Sequence, residues 1–320
     1  MTALPAAPPT PTPPGVDIAI SLEEVSRSYG SLKAVDGLSF TVKVGQIFAL
    51  LGPNGAGKTT TVEMLEGYGK PDRGRIRVLG LDPVRDGRTL KQLTGLMLQQ
   101  TALYQKIRVA EAIDLFCGYY TTPANPADLL NLVGLESHAD HFFGDLSGGQ
   151  KQRLSLALAL AGKPRVAFLD EPTAAMDPQA RLQTWEIIEK LRRDGVTILL
   201  TTHYMEEAQR LADHVAIIDH GKLIAFGTPE DLTASLSTDL ITFTSPDGPA
   251  LDDLKNLPHV VAAAKPRAGV YTLTTNDSLE TVAALAAWRA RTGATVERLT
   301  VSGATLEEVF LELTGQAVRE

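Results

Sequence analysis

The chain has 320 residues, 44% hydrophobic and only 6% aromatic, enough for one large α/β domain plus a smaller one and incompatible with wholesale disorder. A formal net charge of −8 gives no basic footprint, so nucleic acid is not an expected partner. The single cysteine, Cys117, excludes an internal disulfide framework and reads as a small buried hydrophobe, and no apolar run approaches the ~18 residues needed to cross a bilayer.

Residues 1–16 hold Pro5, Pro8, Pro9, Pro11, Pro13 and Pro14 and lack a charged-then-apolar signal pattern, so they are expected to form a disordered or polyproline II leader. From Ile18 to Val44 short β-type stretches, Ile20–Leu22 and Leu38–Val42, alternate with turn residues Gly30 and Gly37 and predict antiparallel edge strands. Tyr29 is expected in the turn between them, where an aromatic either stacks on a purine or is an ordinary half-buried tyrosine. The apolar run Ile47–Leu51 predicts a buried parallel strand, and Thr59–Glu66 a helix stopped by Gly67. Between strand and helix stand Gly52, Pro53, Asn54, Gly55, Ala56, Gly57, Lys58, Thr59 and Thr60, a glycine, four residues, then Gly-Lys-Thr. Glycines there let backbone N–H groups close around phosphate oxygens at the positive end of a helix dipole. Lys58 supplies a point charge toward β- and γ-phosphates, and the Thr59 hydroxyl can ligate magnesium.

Strands are expected at Arg75–Leu79 and Leu96–Leu98, the second running into Gln99 and Gln100, which are either solvated or reach into the site. Val109–Leu135 has helical spacing, with Ala112, Ile113, Leu115, Phe116 and Tyr119 on one side and breaks at Pro123 and Pro126. Then comes Leu146-Ser147-Gly148-Gly149-Gln150. Ser147 is a good N-cap, and the glycine pair leaves first-turn N–H groups open to an outside anion, a second phosphate site. Val166–Leu169 predicts a buried strand ending at Asp170-Glu171, the pattern of an acidic strand end facing a magnesium nucleotide, although two acids can also cap a turn. Asp170 would hold the ion and Glu171 would orient or deprotonate water. Asp177-Pro178 starts a helix over 179–193, and the strand Val196–Thr201 leads to His203. That strand should run beside the one ending at Asp170, which lets His203 reach a γ-phosphate. The other histidines read as structural; His138 and His141 could face together, but a metal there needs a further ligand. Beyond Leu236 the expected order is strand, helix, strand, helix, strand, helix, the last opening with the capping box Thr305-Leu306-Glu307-Glu308.

The ordered set over Ile18 to about Thr233 resembles the ATP-binding subunit of ABC transporters, above all in Leu146-Ser147-Gly148-Gly149-Gln150. The resemblance implies an α/β P-loop NTPase core (ABC ATPase) with an antiparallel β subdomain and a helical insert, followed by a small C-terminal α+β domain. The implied boundaries are 17–235 for the nucleotide-binding domain, its insert at about 100–160, and 236–320 for an accessory or dimerisation domain. By the same resemblance Tyr29 stacks on adenine, Gln99 rather than Gln100 ligates magnesium and water, Glu171 is the catalytic base, Asp177 the D-loop aspartate and His203 the switch histidine. ATP and Mg2+ are the implied ligands, with Thr59, Gln99 and Asp170 at the metal. Two copies, or this chain and a paralogue, would bind head to tail, placing each ATP between Lys58 of one chain and Ser147, Gly148, Gly149 and Gln150 of the other. The segment Thr101–Tyr104 looks like the region that receives an integral-membrane permease, which implies a peripheral location on the cytoplasmic face of the cell membrane. The C-terminal Thr-Leu-Glu-Glu-Val-Phe-Leu-Glu-Leu-Thr-Gly is similar to ABC-2 type exporter ATPases of the daunorubicin-resistance and multidrug type. Importer subunits and soluble non-transport ABC-type ATPases are the alternatives. Ala175-Met176 and Leu98 depart from the Gly-Leu and Pro common at those places, without removing a catalytic group.

Overall fold

The computed structural model describes residues 17–99, 101–174, 176–234 and 239–315, so the leader, Gln100 and Ala175 lie outside the described residues. Two compact units divide after Thr228, the second running Pro229–Gly315. The first begins with β1 (Ile18–Tyr29) and β2 (Leu32–Lys43), a long antiparallel hairpin. Tyr29 pairs with Leu32 across Gly30-Ser31, with Gly30 at φ +61 as such a two-residue turn requires. Tyr29 therefore ends a strand instead of sitting in a turn. Gly37, expected as a turn, lies inside β2 near a register shift.

The next elements are β3 (Ile47–Leu51), α1 (Lys58–Leu65), β4 (Arg73–Val78), α2 (Gly87–Lys91), β5 (Thr94–Met97), α3 (Val109–Cys117), α4 (Pro126–Leu132) and α5 (Gly148–Ala159). They are followed by β6 (Val166–Asp170), α6 (Pro178–Arg193), β7 (Thr197–Thr201), α7 (Met205–Leu211), β8 (His214–Asp219) and β9 (Lys222–Gly227). One sheet has the order β5-β6-β7-β3-β8-β9, parallel except for β9; β2-β1-β4 form an antiparallel sheet. All five residues of β3 are buried because β7 and β8 pair with both its edges and side chains cover both faces. Phe40 of β2 stacks on Phe48 of β3 at 4.8 Å, joining the two sheets through one core.

The helical insert departs from the expected stripe. Val109, Ala112, Ile113 and Cys117 are the buried residues of α3, whereas Leu115 and Tyr119 are exposed. The helix stops at Cys117, so Tyr119 lies beyond it and helical spacing no longer sets its direction. Pro126 does not break a helix but starts one: it occupies the first turn of α4, where no N–H partner is lost, and Asn125 caps the Ala127 amide.

The second unit contains α8 (Pro229–Ala234), β10 (Asp239–Thr244), α9 (Leu251–Lys255), β11 (Val260–Arg267), β12 (Val270–Thr275), α10 (Ser278–Thr292), β13 (Glu297–Gly303) and α11 (Leu306–Thr314). From β10 onward the first six elements make a βαββαβ unit with antiparallel order β11-β12-β10-β13, the ferredoxin-like arrangement. Its core includes Phe243 stacked on Tyr271 at 5.5 Å, with Leu254, Leu285 and Trp288. Strand β11 is an addition to the expected order. Its alanines and Pro266 carry little β signal, and an edge position tolerates a residue without an N–H.

Candidate active site

The phosphate loop sits at the carboxyl end of β3, the usual ligand end of an open parallel sheet. Its glycines are dictated by space. A Cβ on Gly52 would come within 2.4 Å of the Ile218 carbonyl oxygen, and one on Gly57, at φ +104, within 2.2 Å of the Ala34 carbonyl oxygen. Helix α1 starts without a side-chain cap, so its first amides keep their capacity for an anion. Lys58 is buried, and its Nζ donates to the carbonyls of Gly52 at 2.7 Å and Pro53 at 3.1 Å. Burial lowers its pKa, against the opposing pull of Glu171 and Asp170. Thr59 is exposed, and Thr61 Oγ1 ties α1 to the loop through the Gly57 carbonyl at 2.8 Å.

Strands β6 and β7 bring the acids and the histidine together, in register Asp170 opposite Thr201. The Thr201 hydroxyl donates to Asp170 Oδ1, while its carbonyl accepts the Glu171 amide at 3.0 Å. Glu171 leaves the strand at φ +49, a left-handed backbone costly for a side chain with Cβ and held here by its neighbours. Gln152 Nε2 donates to its carbonyl at 3.0 Å. Its carboxylate is gripped on both oxygens: Gln99 Nε2 donates to Oε2 at 2.8 Å, and His203 Nδ1 lies 3.2 Å from Oε1, a donor in the Nδ1-protonated tautomer. The His203 ring packs on Tyr204 at 4.1 Å, and the Arg181 guanidinium covers the other ring at 4.4 Å. Four expected residues thus assemble: Gln99, Asp170, Glu171 and His203, with Lys58 near enough to feel both acids. Thr59, Asp170 and Gln99 offer oxygen donors only, the set that suits hard magnesium.

The remaining expected residues stand apart. Ser147 caps α5, its Oγ accepting from the Gln150 amide at 3.3 Å, and Gln150 Oε1 accepts from the Ser147 amide at 2.8 Å. Gln150 Nε2 meets His138 Nε2 at 2.9 Å, and the His138 and His141 rings lie edge to face at 4.8 Å. Asp177 caps α6 through the amides of Gln179 and Ala180, both at 3.0 Å. Tyr29 is half exposed under the Arg27 guanidinium. Among the described residues no hydrogen bond or ion pair joins Tyr29, Asp177 or 147–150 to the loop 52–60.

Three contributors had no signal in the sequence: Thr201, Gln152 and Glu66. Thr201 acts through the register of β6 and β7, and Gln152 reaches the Glu171 carbonyl from α5. Glu66 follows the last turn of α1, buried, with Oε1 unpartnered; burial first, then the charges of Asp170 and Glu63, push its carboxyl up to about 8. It lines a cavity of about 570 Å3 together with Leu98, Thr101, Leu103, Phe116 and Tyr119.

Residues 35–174 match the family model described as ABC transporter. The Nod factor export ATP-binding protein I of Ralstonia nicotianae (strain ATCC BAA-1114 / GMI1000) is 38% identical over 319 residues, 96% of this chain and 98% of that protein. The daunorubicin resistance ATP-binding protein DrrA3 of Streptomyces coeruleorubidus is 35% identical over 93% of this chain and 96% of its own. Among solved structures, an ATP-binding subunit of an ABC transporter superposes with TM-score 0.63 at 27% identity, over 68% of this chain and 93% of that one. A dimeric ATP-binding cassette in a post-hydrolysis state, bound to ADP and Pi, shares the fold at TM-score 0.60 and 24% identity, over 65% and 98%.

Proposed function

The chain belongs to the ATP-binding subunits of ABC transporters, and from that premise we propose the roles of its residues, its pairing and its membrane partner. It is an ATPase that powers an exporter. The exporter reading is supported by relatives named for Nod factor export and daunorubicin resistance, which align along nearly the whole chain.

The observation that carries the site assignment is the Glu171 carboxylate held between Gln99 and His203. A base fixed on both oxygens is oriented before substrate arrives, so little reorganisation is left for the reaction. Glu171 takes the proton of the attacking water, the oxygen bonds to the γ-phosphorus, and the β–γ bridge bond breaks to release ADP and phosphate. Lys58 and the loop amides stabilise charge on the γ-phosphoryl oxygens. Magnesium, held by Thr59, Gln99 and Asp170, would neutralise charge across the β- and γ-phosphates. His203 senses the γ-phosphate from the end of β7.

Pairing follows from what each chain leaves apart. Tyr29 stacks on adenine. Ser147, Gly148, Gly149, Gln150 and Asp177, unbonded to their own loop, serve the ATP of a second copy or a paralogue in a head-to-tail pair. The 570 Å3 cavity, with Thr101 and Leu103 on its wall, receives a segment of a membrane-embedded permease, which places the ATPase at the cytoplasmic face of the membrane. The unit from Pro229 onward aids association of the pair.

Glu171→Gln tests the assignment. It should bind ATP normally, lose at least about 100-fold in turnover and accumulate as an ATP-dependent dimer in light scattering. Turnover near that of the parent protein would remove Glu171 as the base.

A further inference from the structure

Beside the cavity assigned to the permease lies a second, of about 490 Å3, with basic walls. Lys70, Arg73, Arg75, Arg77 and Arg85 line it against only two acids, Asp72 and Asp82, in a chain of net charge −8. Both acids are already engaged. Asp72 accepts from the Ser28 amide at 2.7 Å and from Arg27 at 2.9 Å, and those bonds, the amide first, hold its carboxyl below the ordinary range. Asp82 accepts from Arg77 at 2.9 Å and from the amides of Val84 and Arg85. Arg75 has only a loose pairing with Glu23 at 3.7 Å, and Lys70, Arg73 and Arg85 form no ion pair among the described residues.

The cations are displayed by the strand period. Arg73, Arg75 and Arg77 alternate along β4, whose Ile76 and Val78 turn into the core, and β4 is an edge strand that pairs on one side only, with β1. The segment 64–70 serves both cavities: Met64 and Lys70 line the basic one, Glu66 and Tyr68 the other. A membrane protein seated on the 570 Å3 cavity therefore brings the charged bilayer surface next to the basic one. Tyr68 and Val84, 66% and 48% exposed, flank the basic walls with apolar surface.

We propose that this basic cavity is a docking surface for the phosphate headgroups of anionic phospholipids, steadying the ATPase against the bilayer beside its permease. Its geometry rests on the permease reading above. Roughly four to eight clustered Lys and Arg make a patch of the size that anionic leaflets attract.

The full chain is to be sedimented with vesicles of phosphatidylglycerol mixed with phosphatidylcholine, and with vesicles of phosphatidylcholine alone. Binding to the anionic vesicles only is expected, weakening as salt shortens the Debye length. Arg73→Glu combined with Arg85→Glu should reduce partition at least about tenfold while leaving ATP affinity unchanged. A milder Lys70→Gln/Arg75→Gln pair should give a smaller loss. Equal binding to both vesicle types, or none to either, overturns the proposal and leaves the cations as guards against strand pairing at an open edge. Displacement by inorganic phosphate or ATP beyond that of sodium chloride at equal ionic strength identifies a free phosphate ligand and also overturns it. ATP turnover by the same preparations reads the motor separately: intact turnover without lipid binding sinks this surface alone, and absent turnover sinks the motor reading whatever the vesicles show.

Discussion

The two ends of α1 bury opposite charges, and each stands opposite to what the helix dipole favours. Lys58 opens the helix at its positive end and Glu66 follows its negative end, although a helix built for stability carries acids first and bases last. Their pKa values move accordingly, the lysine down and the carboxyl up to about 8, burial being the first cause in both. The difference lies in partners. Lys58 is satisfied by two carbonyls of its own loop, whereas Glu66 Oε1 has none. The N-terminal end thus keeps open amides and a satisfied cation, while the C-terminal end carries a buried carboxyl with one oxygen unpartnered. An eight-residue helix that is unfavourable at both ends connects the phosphate loop to the 570 Å3 cavity.

The largest expected break in this comparison is Lys58→Ala. Titration calorimetry should show ATP affinity falling by two to three orders of magnitude, about 3–4 kcal/mol, because the phosphates lose their only cation from the loop. The nucleotide-free protein should unfold no lower than its parent, since a buried cation at a positive helix end has been removed. A variant that keeps ATP affinity would end the symmetry between the two helix ends.

Glu66→Gln sharpens the other end. With a folded pKa near 8 and an unfolded value of 4.5, the folded chain binds more protons between those limits, so stability falls as pH rises from about 4.5 to about 8 and is flat beyond. Glutamine cannot ionise in either state. Thermal unfolding should show the variant gaining ~2 kcal/mol at neutral pH after the cost of its own buried amide, with a shallower pH dependence; at pH 4 the gain should vanish. Parallel pH curves for parent and variant would show that Glu66 titrates normally.

Most of what holds the site was legible because it is local. Lys58 and the caps Ser147 and Asp177 bond to groups within six residues, and the glycine spacing and the apolar runs of β3 and β6 are visible in the sequence even though what they pack against lies far along the chain. The support of the acids was not legible. Thr201 meets Asp170 only through the register of β6 and β7, and Gln152 reaches Glu171 from another element. Glu66 looked like the end of a helix, since its burial depends on the chain around it. Tyr119 failed because helical spacing does not show where a helix ends, and Leu115 because, two residues from both Ile113 and Cys117, it turns away from the face they bury. The alanines of β11 are paired by β12, not by their own propensity.

The smallest effect concerns the second helix with an anion-competent start. Unlike α1, helix α5 already caps itself, since Ser147 and Gln150 satisfy each other's amides. In the proposed head-to-tail pair a γ-phosphate from a second copy adds to that box instead of filling an open terminus, which would make Ser147 contribute twice, to folding and to pairing. Ser147→Ala should cost roughly 1 kcal/mol of stability by thermal unfolding, the usual loss of a serine cap. ATP binding to the single chain should be unchanged, because no bond joins Ser147 to its own loop. The ATP-dependent dimer trapped by Glu171→Gln should weaken several-fold when Ser147→Ala is added. If that double variant dimerises as tightly as the single one, Ser147 only caps its helix, and α1 alone meets phosphate.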